Sequence, residues 1–430
     1  MQLNRTLQPP VLSVDKIDIT RPVETTLPNG VPLYIINSGS QEVVRIDILF
    51  KGGVWHQSAK LQALFTNRML REGTRKYTSA QIAEKLDYYG AWLELSSSLE
   101  HAYITLFSLN KYLAQTLEIV ESLIKEPVFP EKELHTVIEN NLQQFLINSA
   151  KVDFIAHRSL LSSLFGDSYP PGKLAHEEDY RNINRDMLND FYRQVYHSGN
   201  CSIFLSGKVT ESCVKLVENS LGKEQFGKPN TPIITTEHPI VTTASKRIFT
   251  ENKDAMQSAV KLGALTIDRF HPDHLKLRVL ITLLGGYFGS RLMSNIREDK
   301  GFTYGISAGM FFYPGTGIIV IGTETTNEFV EPLIGEVYRE IELLQNEKVT
   351  KEELMLVKNY MLGEMTRSYE SAFSLADAWM FIHTSQLPES YFDDCLRAIK
   401  ETTSDDILRL SCTYLNRQLF KEIVAGKNNI

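Results

Sequence analysis

The sequence is short of several features that would announce a function. It has only four cysteines, Cys201, Cys213, Cys395 and Cys412, and no Cys-x-x-Cys pair. Their scatter fits reduced, mostly buried thiols rather than a disulfide framework, and no neighbouring histidine points to a cysteine nucleophile. No apolar run approaches the ~20 residues of a membrane span. The opening stretch Met1-Gln2-Leu3-Asn4-Arg5 lacks the apolar core of a signal peptide, so the expectation is a cytoplasmic protein with no membrane contact. Basic clusters are missing: Lys+Arg 45 against Asp+Glu 52 gives −7, which argues against nucleic acid as a partner. Aromatic residues make up 10% of the chain but are dispersed, so they form no platform for stacking bases.

What is present is an ordinary globular composition, 43% hydrophobic and 23% charged over 430 residues, long enough for two to four domains. The chain also repeats itself. Pro130-Glu131-Lys132-Glu133-Leu134 corresponds to Thr350-Lys351-Glu352-Glu353-Leu354, each a helix start with carboxylates near the N-terminal dipole. Ile203-Phe204-Leu205-Ser206-Gly207-Lys208 corresponds to Glu422-Ile423-Val424-Ala425-Gly426-Lys427, each a buried strand running into a glycine turn. The two matches have nearly the same spacing, which indicates domain duplication. The expected division is 1–222, a linker over 223–238 rich in turn formers, and 239–430.

Within the first unit, the alternation in Val43–Phe50 predicts a strand with one buried face. Ser79–Tyr89 followed by Gly90 predicts a helix, and Trp92–Leu109 predicts two strands broken near Ser96-Ser97-Ser98 and Glu100. Long helical patterns run from Lys111 to Lys125 and from Glu131 to about Phe165. The expected fold class is α+β: two homologous α/β domains, each a mostly antiparallel sheet covered by helices.

Several segments resemble the pitrilysin/insulinase/mitochondrial-processing-peptidase family of zinc peptidases. Thr26-Leu27-Pro28-Asn29-Gly30-Val31 is similar to the family's opening turn, and Phe50-Lys51-Gly52-Gly53-Val54 to its glycine-rich strand end. Met69 to Thr74 resembles the tail of its catalytic helix. Leu283-Leu284-Gly285-Gly286-Tyr287-Phe288-Gly289-Ser290-Arg291-Leu292, with Ile296-Arg297-Glu298-Asp299-Lys300-Gly301-Phe302-Thr303-Tyr304, resembles the long signature of its second half.

The departures from that family carry the functional reading. The resemblance implies two zinc-binding histidines at i and i+4 on one helix face, a glutamate base between them, and a distant glutamate as third ligand. The corresponding positions here hold Leu64, Asn67 and Arg68, and no His-x-x-Glu-His occurs anywhere. Leucine has no donor atom, asparagine cannot take a proton, and arginine would repel a dication. The third-ligand region Asn140-Asn141-Leu142-Gln143-Gln144 has no carboxylate, Glu139 being the nearest. No metal is therefore expected in this chain.

The second-half residues remain. The resemblance assigns Tyr304 a hydrogen bond to the oxyanion, Arg297 contacts to substrate carbonyl or carboxylate groups, and substrate contact to Gly285 and Gly286. The reading is a zinc-free subunit, inactive alone. It would contribute Arg297 and Tyr304 to a composite site with a homologous zinc-bearing partner that acts on unfolded peptides. The alternatives are a purely structural family member and a self-sufficient peptidase with displaced ligands.

Other signals are weaker. His271-Pro272-Asp273-His274 has a metal-like spacing, but a proline disfavours helix at His271, and Pro272 and Asp273 suit a first helical turn. His56 suggests a surface or packing role. Gly285, Gly286 and Gly289 follow a helix, the wrong order for a dinucleotide fingerprint. Tyr360 and Met361 read as core.

Overall fold

The computed structural model describes residues 6, 16–17, 19–228 and 238–428. Most of the 223–238 linker, positions 229–237, lies outside the described residues, as does most of the opening stretch.

The first unit holds strands β1 (Val23–Thr26), β2 (Pro32–Asn37), β3 (Val43–Lys51), β4 (Trp92–Ser97), β5 (His101–Leu109) and β6 (Cys201–Gly207). Its helices are α1 (Gln62–Met69), α2 (Ser79–Tyr89), α3 (Leu113–Lys125), α4 (Glu131–Ser149), α5 (Val152–Phe165), α6 (Glu177–Arg181), α7 (Arg185–Val195) and α8 (Glu211–Val217). The second unit holds β7 (Arg247–Glu251), β8 (Ser258–Thr266), β9 (Ile306–Tyr313), β10 (Thr316–Thr325) and β11 (Lys421–Gly426). Its helices are α9 (His274–Ile281), α10 (Val330–Asn346), α11 (Lys351–Arg367), α12 (Ala372–Thr384), α13 (Tyr391–Glu401) and α14 (Ser404–Tyr414).

Among the described residues the strands form a six-stranded sheet, β1-β2-β6-β3-β5-β4, and a five-stranded sheet, β7-β11-β8-β10-β9. Apart from the extra β1 the two have one topology. A parallel pair, β2 with β6 or β7 with β11, joins three strands that otherwise pair antiparallel. The helices repeat as well: α4 begins at Glu131 and α11 at Lys351, α5 at Val152 and α12 at Ala372, α7 at Arg185 and α14 at Ser404. The fold is two homologous α/β units, as the sequence repeat implied.

Local chemistry explains the ends of several elements. Thr78, rather than Ser79, caps α2 in a capping box with Gln81, and Gly90 ends it at φ 60. The helical pattern from Glu131 to Phe165 is two helices, not one. Lys151 is extended (φ −86, ψ 131) and redirects the chain into α5.

That break has a tertiary purpose. Helix α5 leaves its own unit and packs on the second sheet, where Ala156, Leu160 and Leu164 meet Ala259, Ile318, Ile423 and Ala425. Gly263 on β8 makes room for it, since a Cβ there would lie 2.6 Å from Leu160. Its counterpart α12 does the reverse and packs on β2 and β6 of the first sheet. Phe373 of α12 meets Phe107 edge-on at 5.4 Å, and His383 lies 5.1 Å from Tyr34. Each unit thus lends the other a helix, and the second unit's core continues into Ile36, Leu49 and Phe204 of the first.

This exchange corrects the expectation for β3. The strand is buried on both faces, because α12 covers the face that alternation assigned to solvent. Arg45 and Asp47 on that face are buried, and Arg45 bonds Asp47 at 2.7 Å and Asp377 of α12 at 2.5 Å.

The junction also holds neutral histidines. Burial, then His383, His56 and Lys51, pushes the His101 pKa down to about 4, and burial and Lys51 push His56 to about 4. Between pH ~6.5 and ~4 the unfolded chain takes up protons that these folded side chains refuse, so stability falls as pH drops through that window. Each such group contributes a slope of up to about 1.4 kcal/mol per pH unit. Urea midpoints are expected to be level from pH 7 to 8 and to fall between pH 6.5 and 5. His101→Gln should make that decline shallower. Equal midpoints at pH 7.5 and 5 would contradict the assignment.

Candidate functional site

The degenerate motif lies on α1, which packs beside α4 and α7. Leu64 is half-buried, Arg68 is exposed and Asn67 is buried. The Asn67 amide donates to the Tyr103 carbonyl and the Tyr196 hydroxyl, each at 3.3 Å. Its Oδ1 is buried without a partner among the described residues. Of the three motif positions only Asn67 offers a neutral oxygen, with the Tyr103 carbonyl and Tyr196 hydroxyl beside it. Glu139 sits half-buried on α4, and no group of three or more His, Cys, Asp or Glu able to hold a metal occurs among the described residues. Zinc needs three or four nitrogen, sulfur or carboxylate donors, so these residues do not fit it.

His271 and His274 do not converge either. His271 Nδ1 accepts from the Asp273 backbone, while His274 is buried against Tyr391. Asp273 is engaged by Arg409, at 2.7 and 3.1 Å, and by the Tyr414 hydroxyl at 2.8 Å. The segment acts as a helix start.

The second-half residues lie around the turn formed by residues 282–286 and the helical turn Met293–Asp299. Gly285 is buried and non-helical (φ −159, ψ 16). A Cβ there would come within 2.7 Å of Ala308, so its bareness lets this turn press against β9. Gly286 is exposed beside it.

Arg297 is half-buried and lies over the Phe288 ring, 4.6 Å from its centroid. Phe288 is itself 60% exposed. This stack was not foreseen from sequence, although the aromatic residues among the glycines at 285–289 were the available signal.

Tyr304 is 91% exposed on the loop leading into β9. That loop is tied down on both sides. Thr303 Oγ1 donates to the Glu324 carbonyl at 2.7 Å, the Thr325 hydroxyl donates to the Phe302 carbonyl at 2.5 Å, and Phe302 stacks on Phe329 at 4.9 Å. A tethered loop therefore presents a phenol that the described fold does not use.

Two family models match the chain. Residues 34–167 match the insulinase domain of peptidase family M16, and residues 182–361 match the peptidase M16 inactive domain. The chain belongs to the M16 peptidase family. It is 25% identical over 354 residues to the uncharacterized zinc protease YmxG of Bacillus subtilis, covering 81% of this chain and 85% of that one. It is 28% identical over 245 residues to the non-peptidase homolog YmxG of Helicobacter pylori, 56% of this chain and 55% of that one. A crystal structure of a peptidase M16 inactive domain from Pseudomonas fluorescens has the same fold, with a TM-score of 0.83, 24% identity, and coverage of 95% of this chain and 98% of that one. Leu64, Asn67 and Arg68 of α1 lie within the insulinase match, and the inactive-domain match covers residues 182–361. No helix among the described residues is long and apolar enough to cross a membrane.

Proposed function

We propose that this protein is the zinc-free subunit of a two-chain peptidase acting on unfolded peptides. A homologous partner would supply the zinc, with its bound water, and the general base. The observation that carries the reading is Tyr304: a tyrosine 91% exposed on an anchored loop, beside a family signature whose other polar member, Arg297, is held over an exposed Phe288. Exposed aromatic and arginine side chains of this kind are the usual anchors of contacts made with another molecule.

In this reading the Tyr304 hydroxyl donates a hydrogen bond to the oxygen on which negative charge develops as the peptide carbonyl is attacked. Arg297, with its planar array of donors, holds a substrate carbonyl or carboxylate. Gly285 and Gly286 let substrate backbone approach closely. The units 1–222 and 239–430 would together form one wall of the cavity and the partner the other. The scattered thiols support a cytoplasmic setting.

The test is reconstitution. The protein alone is expected to hydrolyse no peptide and to bind no stoichiometric zinc. Mixed with a homologue bearing an intact His-x-x-Glu-His, it should form a 1:1 complex by sedimentation and cleave unstructured peptides faster than the homologue alone. Stoichiometric zinc and turnover by the isolated chain would overturn the proposal. Assembly without any gain in turnover would identify the protein as a scaffold.

A further inference from the structure

A cavity of about 780 Å3 opens in the second unit where α9, α11, α12 and α13 meet β9, a size suited to a ligand. By the internal repeat, α9, α11 and β9 stand where α1, α4 and β4 stand in the first unit. The cavity thus lies at the elements of the second unit that correspond to those carrying the degenerate motif in the first. Much of its wall is apolar or aromatic, with Met310 and Phe312 from β9, Met361 from α11 and Phe381 from α12. Tyr360 lines it too, stacked on Tyr287 and 37% exposed, so it is not the core residue its helical spacing suggested.

Two arginines line this cavity without an ion-pair partner among the described residues. Arg278 donates only to neutral groups, the Tyr391 hydroxyl at 3.4 Å and the Cys395 sulfur at 3.6 Å. Arg269 donates to the Ser385 hydroxyl and lies over the rings of Phe312 and Phe381 at 5.5 and 5.3 Å. Asp268, next to Arg269, accepts from the Phe270 backbone, and Glu100 acts on Arg269 through space without forming an ion pair, which leaves Arg269 the assisting rather than the principal cation. His274 adds no charge, since burial and then the two arginines hold its pKa near 4. The carboxylates lining the cavity are engaged elsewhere: Glu364 with Arg367 at 2.7 Å and Asp377 with Arg45 at 2.5 Å. Five guanidinium donors against two neutral acceptors leave Arg278 able to take a carboxylate in bidentate fashion. The adjoining strand β9 is the edge of its sheet, paired only to β10; the 282–286 turn presses on it at Ala308, and beyond that contact the strand can add an extended chain by backbone hydrogen bonding.

We propose that this cavity is a second peptide site, in which Arg278, assisted by Arg269, binds a carboxylate of an extended peptide laid along β9. The carboxylate is a chain terminus or an Asp or Glu side chain. Gly286 lines this cavity as well, but Arg278 and Arg269 have no part in the composite-site reading, so a test through them is separate from it.

The test uses the full chain without a partner and fluorescein-labelled unstructured octapeptides carrying one glutamate and a free C-terminus, followed by anisotropy. Arg278→Met is expected to weaken binding by at least about tenfold, the scale of a lost charge-assisted hydrogen-bond pair. Its thermal midpoint should be unchanged or raised, because it removes a cation that no carboxylate balances. Arg278→Lys, which keeps the charge but not the fork, should lose a smaller factor and serves if the methionine variant does not fold. C-terminal amidation and Glu→Gln in the peptide identify which carboxylate is held; one of them should reproduce the tenfold loss. The proposal is overturned if the unmodified chain binds no such peptide or if folded Arg278→Met or Arg278→Lys binds as well as the parent. Equal binding of the peptide lacking both carboxylates would also overturn it.

Discussion

Arg45→Met is expected to destabilise the protein by about 3–5 kcal/mol, the range for breaking a buried ion pair by removing one partner. Arg45 ties β3 of the first unit to α12 of the second through Asp47 and Asp377, and its guanidinium lies 5.7 and 5.9 Å from the Phe107 and Phe373 ring centres. Without it the Asp47 carboxylate, already pushed up by burial, keeps only the Thr105 hydroxyl at 2.8 Å. A buried carboxylate so poorly compensated must ionise at a cost or take up a proton. Urea unfolding at pH 7 measures the loss. The double variant Arg45→Met with Asp47→Leu should recover most of it, since removing both charges leaves no orphan. A loss under about 1 kcal/mol in the single variant, the worth of an exposed pair, would mean that α12 does not seal this face.

The second large effect is on chemistry. In the reconstituted pair, Tyr304→Phe is expected to lower kcat by about 10²–10³-fold, the measured scale for one lost oxyanion donor. KM should be nearly unchanged, because the interaction is made only as charge develops. Arg297→Ala should instead act mainly on KM, as befits a group that holds substrate in both ground and transition states. Tyr304 is 91% exposed, so its substitution should leave the urea midpoint within about 0.5 kcal/mol of the parent. That contrast separates a role in turnover from one in folding. Unchanged kcat in an intact complex would exclude Tyr304 from the composite site.

Much of this was legible in the chain because it rests on residue identity. That Leu64, Asn67 and Arg68 are no set of zinc ligands follows from their identities, and no arrangement in space can give leucine a lone pair. The helix starts at 131 and 351 are local signals, and helices begin at both. Where periodicity misled, the cause was another part of the chain. The alternation in β3 implied a solvated face for Arg45 and Asp47, and α12, more than three hundred residues away, buries it. Tyr360 has the spacing of a core residue, but its helix faces a cavity. That Arg278 has only neutral hydrogen-bond partners among the described residues could not be read from a sequence in which acidic residues outnumber basic ones.

The sequence alone determined the duplicated architecture, the M16 family and the want of a His-x-x-Glu-His, since local pattern and residue identity suffice for these. Tertiary structure alone decided the exchange of α5 and α12, the two-sided burial of β3 and the exposure of Tyr304. Each depends on which distant surface covers a given face, and that is fixed by packing across the two units rather than by any residue's own preference.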